Sequence, residues 1–121
     1  MEHKNEEKDR MNYRVALGQC GEEFAAQTLR LDGYIILEKN FRCRFGEIDI
    51  IAEKDGRLLF TEVKTRRTAN FGRPVEAVDR RKIQHIRKAA FYWLRENREK
   101  NYMSFSFQVI EVMVNRVENA F

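Results

Sequence analysis

The sequence has no long apolar run, and none approaches the roughly 18–20 residues that a helix needs to span a bilayer. Its first ten residues are charged and are followed by no apolar signal segment. We therefore expect a cytoplasmic protein with no membrane-spanning part.

Cysteine and histidine are scarce, with two of each. Cys20 and Cys43 belong to no paired motif, so free thiols in a reducing compartment are expected. A zinc site that combines them with His3 and His85 is disfavoured, because no pair falls at ligand spacing.

The composition of the 121 residues indicates one folded domain. Hydrophobic residues make up 43% and charged residues 35%, which is enough for a hydrophobic core. The chain is too short for two well-packed domains. Residues 1–11 are dense in charge of both signs, with only Met1 and Met11 apolar. We predict a flexible arm or frayed helix start over residues 1–12 and a single domain over residues 13–121.

The net charge of +4 is unevenly distributed. From Lys64 to Arg98 there are eleven Lys or Arg against three acids, so 11 − 3 gives +8 over that stretch. Such a bias suits a polyanion such as nucleic acid. A solvated helix face would give the same charge pattern.

The apolar periodicity predicts an α/β domain in the order helix, three strands, helix, strand. The first helix runs from about Tyr13 to Leu31, with Leu17, Cys20, Phe24, Thr28 and Leu31 on its apolar face. Strands are expected around 34–44, at 47–52 and at 58–66. A loop follows from Arg67 to Arg73, then Pro74, a helix over 79–96 and a strand over 105–114.

Asp55-Gly56 between two apolar runs predicts a β-hairpin with a defined register. A turn centred there pairs residues whose numbers sum to 111, which sets Asp49 opposite Glu62. Strand side chains alternate between faces, so Glu47, Asp49, Glu62 and Lys64 are expected on one face of the sheet.

Two opposed carboxylates about 5 Å apart repel by roughly 3 kcal/mol at an effective dielectric near 20. A divalent cation such as Mg²⁺ or Mn²⁺ would reverse the sign of that interaction, and protonation of one carboxyl would relieve it. Lys64 could then orient a water or stabilise charge on a phosphate. The competing interpretation is a solvated sheet face with ordinary surface charges.

The motifs Gly46-Glu-Ile-Asp-Ile-Ile-Ala52 and Phe60-Thr-Glu-Val-Lys-Thr-Arg66 resemble the PD-(D/E)xK nuclease superfamily, and more closely the YraN family of bacterial proteins. The resemblance covers almost the whole domain, and further matching positions include Gly18 to Glu22, Ala25, Gly33-Tyr34, Asn40 to Arg42, Pro74, Lys82 and Asn119 to Phe121.

This resemblance implies a restriction-endonuclease-like three-layer core with a mixed sheet flanked by helices, similar to archaeal Holliday junction resolvases. Asp49, Glu62 and Lys64 match the superfamily's catalytic positions, and Glu22 matches an acid on the first helix that would bind metal or a metal-bound water. Ile48 replaces the proline of the superfamily name, and Gln108 stands where an Asp is expected, so no role is assigned to it.

Basic residues flank the acidic strands. Each of these arginines alone would be an ordinary surface residue, but grouped near the site they are interpreted as phosphate contacts. They are Arg42, Arg44, Arg66 and Arg67. Asp79 is a suitable helix N-cap, but the cations that follow it oppose the helix dipole unless they receive phosphate: Arg80, Arg81 and Lys82.

The resulting hypothesis is an endonuclease that depends on Mg²⁺ or Mn²⁺ and acts on DNA, including branched DNA. Asp49, Glu62 and Glu22 would bind the metal, and Lys64 would complete the catalytic set. A non-catalytic nucleic-acid-binding module on the same scaffold is the alternative, and a homodimer is left open.

Overall fold

The computed structural model describes residues 2–67 and 79–120. Its elements follow the predicted order: α1 (Glu2–Leu31), β1 (Ile35–Cys43), β2 (Gly46–Lys54), β3 (Arg57–Arg67), α2 (Arg80–Glu96) and β4 (Ser104–Val114). Most of the predicted loop from Arg67 to Arg73, together with Pro74, lies outside the described residues.

The four strands form one mixed sheet in the order β1-β2-β3-β4. Pairing is antiparallel from β1 to β3, and β4 is parallel to β3. A parallel partner requires a long crossover, and α2 lies in that connection. The prediction of an α/β domain with a mixed sheet flanked by helices is confirmed.

The two helices pack on opposite faces of the sheet, as alternation along the central strands shows. Ile50 and Leu59 pack in a cluster with α1, whereas Ile51, Leu58 and Phe60 pack in a cluster with α2. Apolar side chains cover both faces of β2 and β3, which makes these strands the centre of the molecule.

Helix α1 differs from its prediction in length and in the face it buries. It begins at Glu2, so the segment predicted as an arm is helical, although its side chains from residue 5 onwards are exposed. Phe24 and Leu31, predicted to face the core, are 63% and 87% exposed. The buried face consists of smaller residues and one leucine: Gly21, Ala25, Ala26 and Leu29. Small side chains let the helix backbone approach the sheet closely, which apolar periodicity alone does not reveal.

The β2–β3 hairpin has the predicted register. Five pairs from Lys54↔Arg57 to Ile50↔Thr61 have numbers that sum to 111. The turn residues Asp55 and Gly56 both have positive φ, at 51° and 79°, as a two-residue hairpin turn requires. This register carries Asp49 and Glu62 to the same level of the sheet.

None of the described helices combines the length and apolar character needed to cross a bilayer. Cys20 and Cys43 are free cysteines, as predicted.

Candidate functional site

Asp49 lies where the pairing between β2 and β3 ends. The last paired residues are Ile50 and Thr61, and one step further the Asp49 carboxylate accepts a hydrogen bond of 2.7 Å from the backbone N–H of Val63. The side chain thus takes the place of a main-chain partner and lies against β3 directly beside Glu62.

The prediction that Glu47, Asp49, Glu62 and Lys64 share one face is wrong for β2. Ile48 and Ile51 both pack in the α2 cluster although they are an odd number of residues apart, so alternation is interrupted between them. On the neighbouring strand, Asn40 lies opposite Asp49, between the pairs Lys39↔Ile50 and Phe41↔Ile48, and has a φ of 54°. The Asp49 carboxylate therefore faces the backbone of β3 and does not follow the regular alternation of β2.

The environment of Asp49 disfavours its charged form. Burial raises the pKa of Asp49 from 3.8 to about 6, partly opposed by the N–H of Val63 and supported by the charges of Glu22, Glu62 and Glu47. The pKa therefore falls close to neutral pH, where a bound cation or a proton would both stabilise this group. The charges of three other carboxylates thus add to the effect of burial on Asp49.

Glu62 is buried, with 8% of its surface exposed, and its two oxygens differ in environment. Oε1 forms an ion pair with the ammonium group of Lys82, which reaches across from the first turn of α2. Oε2 is buried and has no hydrogen-bond partner among the described residues. A buried carboxylate oxygen without a partner is costly, so Oε2 is a position where a further ligand would be favourable.

Lys64 follows Glu62 by two residues on β3 and is half-buried. Its neighbour in register on β4 is Glu111, which forms an ion pair with Arg66 at 3.3 Å. Strand alternation places these three side chains and Glu62 on the α2 side of the sheet. A patch of mixed charge thus extends along β3 from the buried acid towards the strand's end.

Glu22 belongs to the opposite side of the sheet. It lies on α1 and lines a cleft together with Val63 and Thr65, which face α1. Its charge is the strongest carboxylate influence on the pKa of Asp49, ahead of that of Glu62. Asp49 is therefore close enough to interact electrostatically with an acid on each side of β3.

The predicted phosphate-binding residues have several different environments. Arg42 pairs with Glu47 at 3.2 Å, and the guanidinium of Arg44 lies 4.7 Å from the ring centroid of Phe45. At the start of α2, Arg80 and Arg81 are exposed. Lys82 contacts Glu62 directly and so joins the acidic site.

Arg66 forms an ion pair with Glu111, and Arg67 is the last residue of β3.

The predicted N-cap of α2 is confirmed, since the Asp79 side chain accepts a hydrogen bond from the N–H of Arg81 at 3.0 Å. No acidic residue occupies the first turn of α2, so the cations there remain next to the positive end of the helix dipole.

The donor chemistry of the site fits a hard divalent cation. Asp49 and Glu62 supply carboxylate oxygens, of which one is orphaned and buried, and Mg²⁺ is commonly held by one or two carboxylates together with water and substrate phosphate. Within residues 2–67 and 79–120, no group of three or more His, Cys, Asp or Glu side chains is arranged to hold a metal ion. Among the described residues, Asp49 and Glu62 are the two carboxylates that meet beside Val63.

Three contributors were missed by sequence reasoning. The N–H of Val63 holds Asp49, Glu111 lies beside Lys64, and Lys82 neutralises Glu62 although it was assigned to phosphate. The position of Glu111 follows only from the parallel β3–β4 register, for which the sequence contains no turn signal. The ion pair of Lys82 with Glu62 likewise depends on the placement of α2 over the sheet, which no local pattern in the sequence indicates.

Comparison with known proteins places the chain in a family. Residues 21–112 match the Uncharacterised protein family UPF0102. A UPF0102 protein of Syntrophomonas wolfei subsp. wolfei is 46% identical over 112 residues, which cover 87% of this chain and 96% of that protein. A UPF0102 protein of Caldicellulosiruptor saccharolyticus is 46% identical over 105 residues, with 87% of each chain covered. A third, from Caldanaerobacter subterraneus subsp. tengcongensis, is 48% identical over 102 residues, with 84% of this chain and 83% of that protein covered.

The matched region contains all four proposed catalytic residues, both strands of the acidic site and the whole of α2. The resemblance to the YraN family is confirmed by these matches: the chain belongs to the UPF0102 family.

Proposed function

We propose that this protein is an endonuclease that depends on Mg²⁺ or Mn²⁺ and hydrolyses phosphodiester bonds in DNA, including branched DNA. The observation that carries the proposal is the pair of acids at the end of the β2–β3 ladder. Asp49 there has a pKa of about 6, and the adjacent Glu62 has a buried oxygen without a partner. Crowded carboxylates of this kind destabilise a fold unless a cation binds to them.

Fold and resemblance support the same conclusion. An acid on one strand and a Glu-x-Lys triplet on the next, in a mixed sheet flanked by helices, are features of the restriction-endonuclease-like core of the PD-(D/E)xK superfamily. When bound, a divalent cation would supply Lewis-acid activation of a phosphate oxygen and of the attacking water. Asp49 and Glu62 would hold it, with Glu22 contributing through a water from the α1 side.

The remaining roles belong to side chains on the α2 side of the sheet. Lys64 extends from β3 in the same direction as Glu62 and would orient the attacking water and offset charge that develops on the phosphate. Lys82 would exchange its ion pair with Glu62 for a DNA phosphate. The loss of the Lys82 ion pair would increase the negative charge available to a cation at Glu62 when the substrate arrives.

The proposal is tested by an assay for cleavage of supercoiled plasmid and of a four-way DNA junction. The assay contains either Mg²⁺ at about 5 mM, a usual assay concentration, or EDTA. We expect metal-dependent cleavage by the wild type and none by Asp49→Asn or Lys64→Ala, with Lys88→Ala as an active control because Lys88 is an exposed residue of α2. Cleavage that persists in Asp49→Asn would refute the assignment.

A non-catalytic nucleic-acid-binding module is the second candidate, and the ion pair between Lys82 and Glu62 favours it because it already compensates one acid. Under this alternative, DNA binding would be sensitive to salt but indifferent to substitution of Asp49 or Glu62. The EDTA comparison separates the two candidates directly.

A further inference from the structure

A second surface, distinct from the basic residues around α2, lies on the opposite face of the sheet. Residues 9–22 of α1, together with β3, border an open cleft of about 820 Å³, here named the α1 cleft. It is lined by Asp9, Arg10, Tyr13, Arg14, Leu17, Gly18, Glu22, Val63 and Thr65. None of these residues except Glu22 has a role in the proposed hydrolysis.

The wall of the α1 cleft follows from helical spacing. Arg10, Arg14 and Gly18 occur at steps of four residues and therefore lie along one side of α1. Further along the same side, Gly21 lies so close to Thr65 that a side chain there would overlap the Thr65 hydroxyl. At Gly18 the situation is reversed, since a Cβ atom would meet nothing within 4 Å. The helix thus packs tightly on β3 at Gly21 and diverges from it towards its N-terminus.

The α1 cleft is lined by two cations, Arg10 and Arg14, by two acids, Asp9 and Glu22, and by apolar and aromatic groups. Arg10 and Arg14 are exposed at its rim, Tyr13 lies between them in sequence, and Leu17 and Val63 provide apolar surface. The hydroxyl oxygen of Thr65 is buried and has no hydrogen-bond partner among the described residues. Guanidinium groups bind phosphates, and an aromatic ring beside them offers a stacking surface to a base.

The size of the α1 cleft suits single nucleotides. A volume near 820 Å³ is within the range of roughly 300–1,000 Å³ typical of small-ligand sites, so the cleft is large enough for individual unpaired nucleotides. Its inner end is marked by Glu22, whose charge acts on Asp49. A strand bound in the cleft would therefore lead towards the acids at the end of the β2–β3 ladder.

We propose that the α1 cleft binds an unpaired stretch of DNA, with phosphates on Arg10 and Arg14 and a base against Tyr13. This inference rests on the proposed function. If both hold, the preferred substrate is a DNA with a single-stranded segment next to the cleavage point. Binding itself needs neither metal nor cleavage, so it is tested separately.

The test is fluorescence anisotropy of a labelled twelve-nucleotide oligo(dT) in EDTA, with a duplex of the same length for comparison. Gly18→Leu is the main variant, because its side chain grows into the open cleft while leucine is a better helix former than glycine. We expect Gly18→Leu and Arg14→Glu each to weaken binding of the single strand by about tenfold. Duplex binding should change far less with Gly18→Leu.

Two matched controls complete the design. Gly18→Ala adds only the Cβ atom, and Arg98→Glu makes the same charge change as Arg14→Glu at an exposed position after α2. Both are expected to bind the single strand within about twofold of the wild type, since neither fills the cleft nor removes its cations.

Single-strand binding that Gly18→Leu leaves unchanged would overturn the inference, as would no binding of the single strand by the wild type. Either result, together with metal-dependent cleavage of duplex plasmid, would leave the proposed nuclease function intact. Cleft-dependent binding without any metal-dependent cleavage would instead support the α1 cleft and contradict the nuclease.

Discussion

The Asp49 carboxylate accepts a hydrogen bond of 2.7 Å from the backbone N–H of Val63, the residue between Glu62 and Lys64. This bond fixes the acid of β2 to the central position of the Glu-x-Lys triplet on β3. The two strands have ceased regular pairing by this point, so a side chain sets the spacing of the site. The geometry of the acids is thus set by this hydrogen bond, one step beyond the regular ladder.

Replacing Asp49 with Asn is expected to stabilise the metal-free protein at neutral pH. The pKa of Asp49 in the folded protein, about 6, lies above its ordinary value of 3.8. The stabilisation that comes from protonation is therefore complete below about pH 3.8 and lost as the pH rises through about 6. Asn retains an oxygen for the N–H of Val63 but never carries the charge.

The free energy of unfolding of Asp49→Asn in EDTA should exceed that of the wild type by about 1 kcal/mol at pH 7.5, a modest value because solvent screens a partly exposed carboxyl. The difference should vanish near pH 4. Denaturant unfolding at both pH values measures it, with Asp32→Asn as a control at an exposed aspartate. A variant less stable than the wild type at pH 7.5 would contradict the argument.

Lys82→Gln should strengthen binding of Mn²⁺. The Lys82 ammonium group pairs with Glu62 and competes with any other cation for the same carboxylate. Removing the competitor is expected to lower the Kd for Mn²⁺ by about fivefold, equivalent to about 1 kcal/mol. Calorimetric titration checks this, with Lys88→Gln, another exposed lysine of α2, expected to behave like the wild type. Weaker binding by Lys82→Gln would show that Lys82 supports the site by some other means.

The two glycines of α1 should respond oppositely to alanine. At Gly21, an added Cβ would overlap the Thr65 hydroxyl and lie 3.0 Å from Thr65 Cβ, so Gly21→Ala should destabilise the protein by about 2 kcal/mol through overpacking. At Gly18, where space is open, alanine should stabilise by about 0.5–1 kcal/mol through helix propensity.

Thermal or urea unfolding of both glycine variants provides the measurement. Thr65→Ala combined with Gly21→Ala should recover part of the loss, because the overlapping hydroxyl is then absent. Equal effects of alanine at Gly18 and Gly21 would show that α1 does not approach β3 as described.

Much of the fold could be predicted because local signals agreed with one another. The Asp55-Gly56 turn fixed the hairpin register, and apolar periodicity gave the order of elements. The buried face of α1 could not be read from periodicity, because close approach favours Ala25 and Ala26 over the larger but exposed Phe24. Packing distance, and not hydrophobicity, decided which side of that helix faces the sheet.

The acidic pair was predictable to the level of its strands but not to the direction of its side chains. The alternation of side chains in β2 is interrupted near Asp49, and Asn40 on the adjacent strand has a positive φ at the same level. Neither segment indicates this long-range match by its own sequence. The contributions of Glu111 and Lys82 depend on the β3–β4 pairing and on the placement of α2 over the sheet. Both arise from tertiary structure, which a single sequence specifies only through the complete fold.

Calorimetric titration of Mn²⁺ into the wild type, Asp49→Asn and Asp32→Asn at pH 7.5 tests most directly whether the acids beside Val63 form a cation site. We expect the wild type and Asp32→Asn to bind the metal alike, Asp49→Asn to lose binding, and wild-type affinity to fall as the pH drops below about 6. Equal Mn²⁺ binding by Asp49→Asn and the wild type would contradict the account.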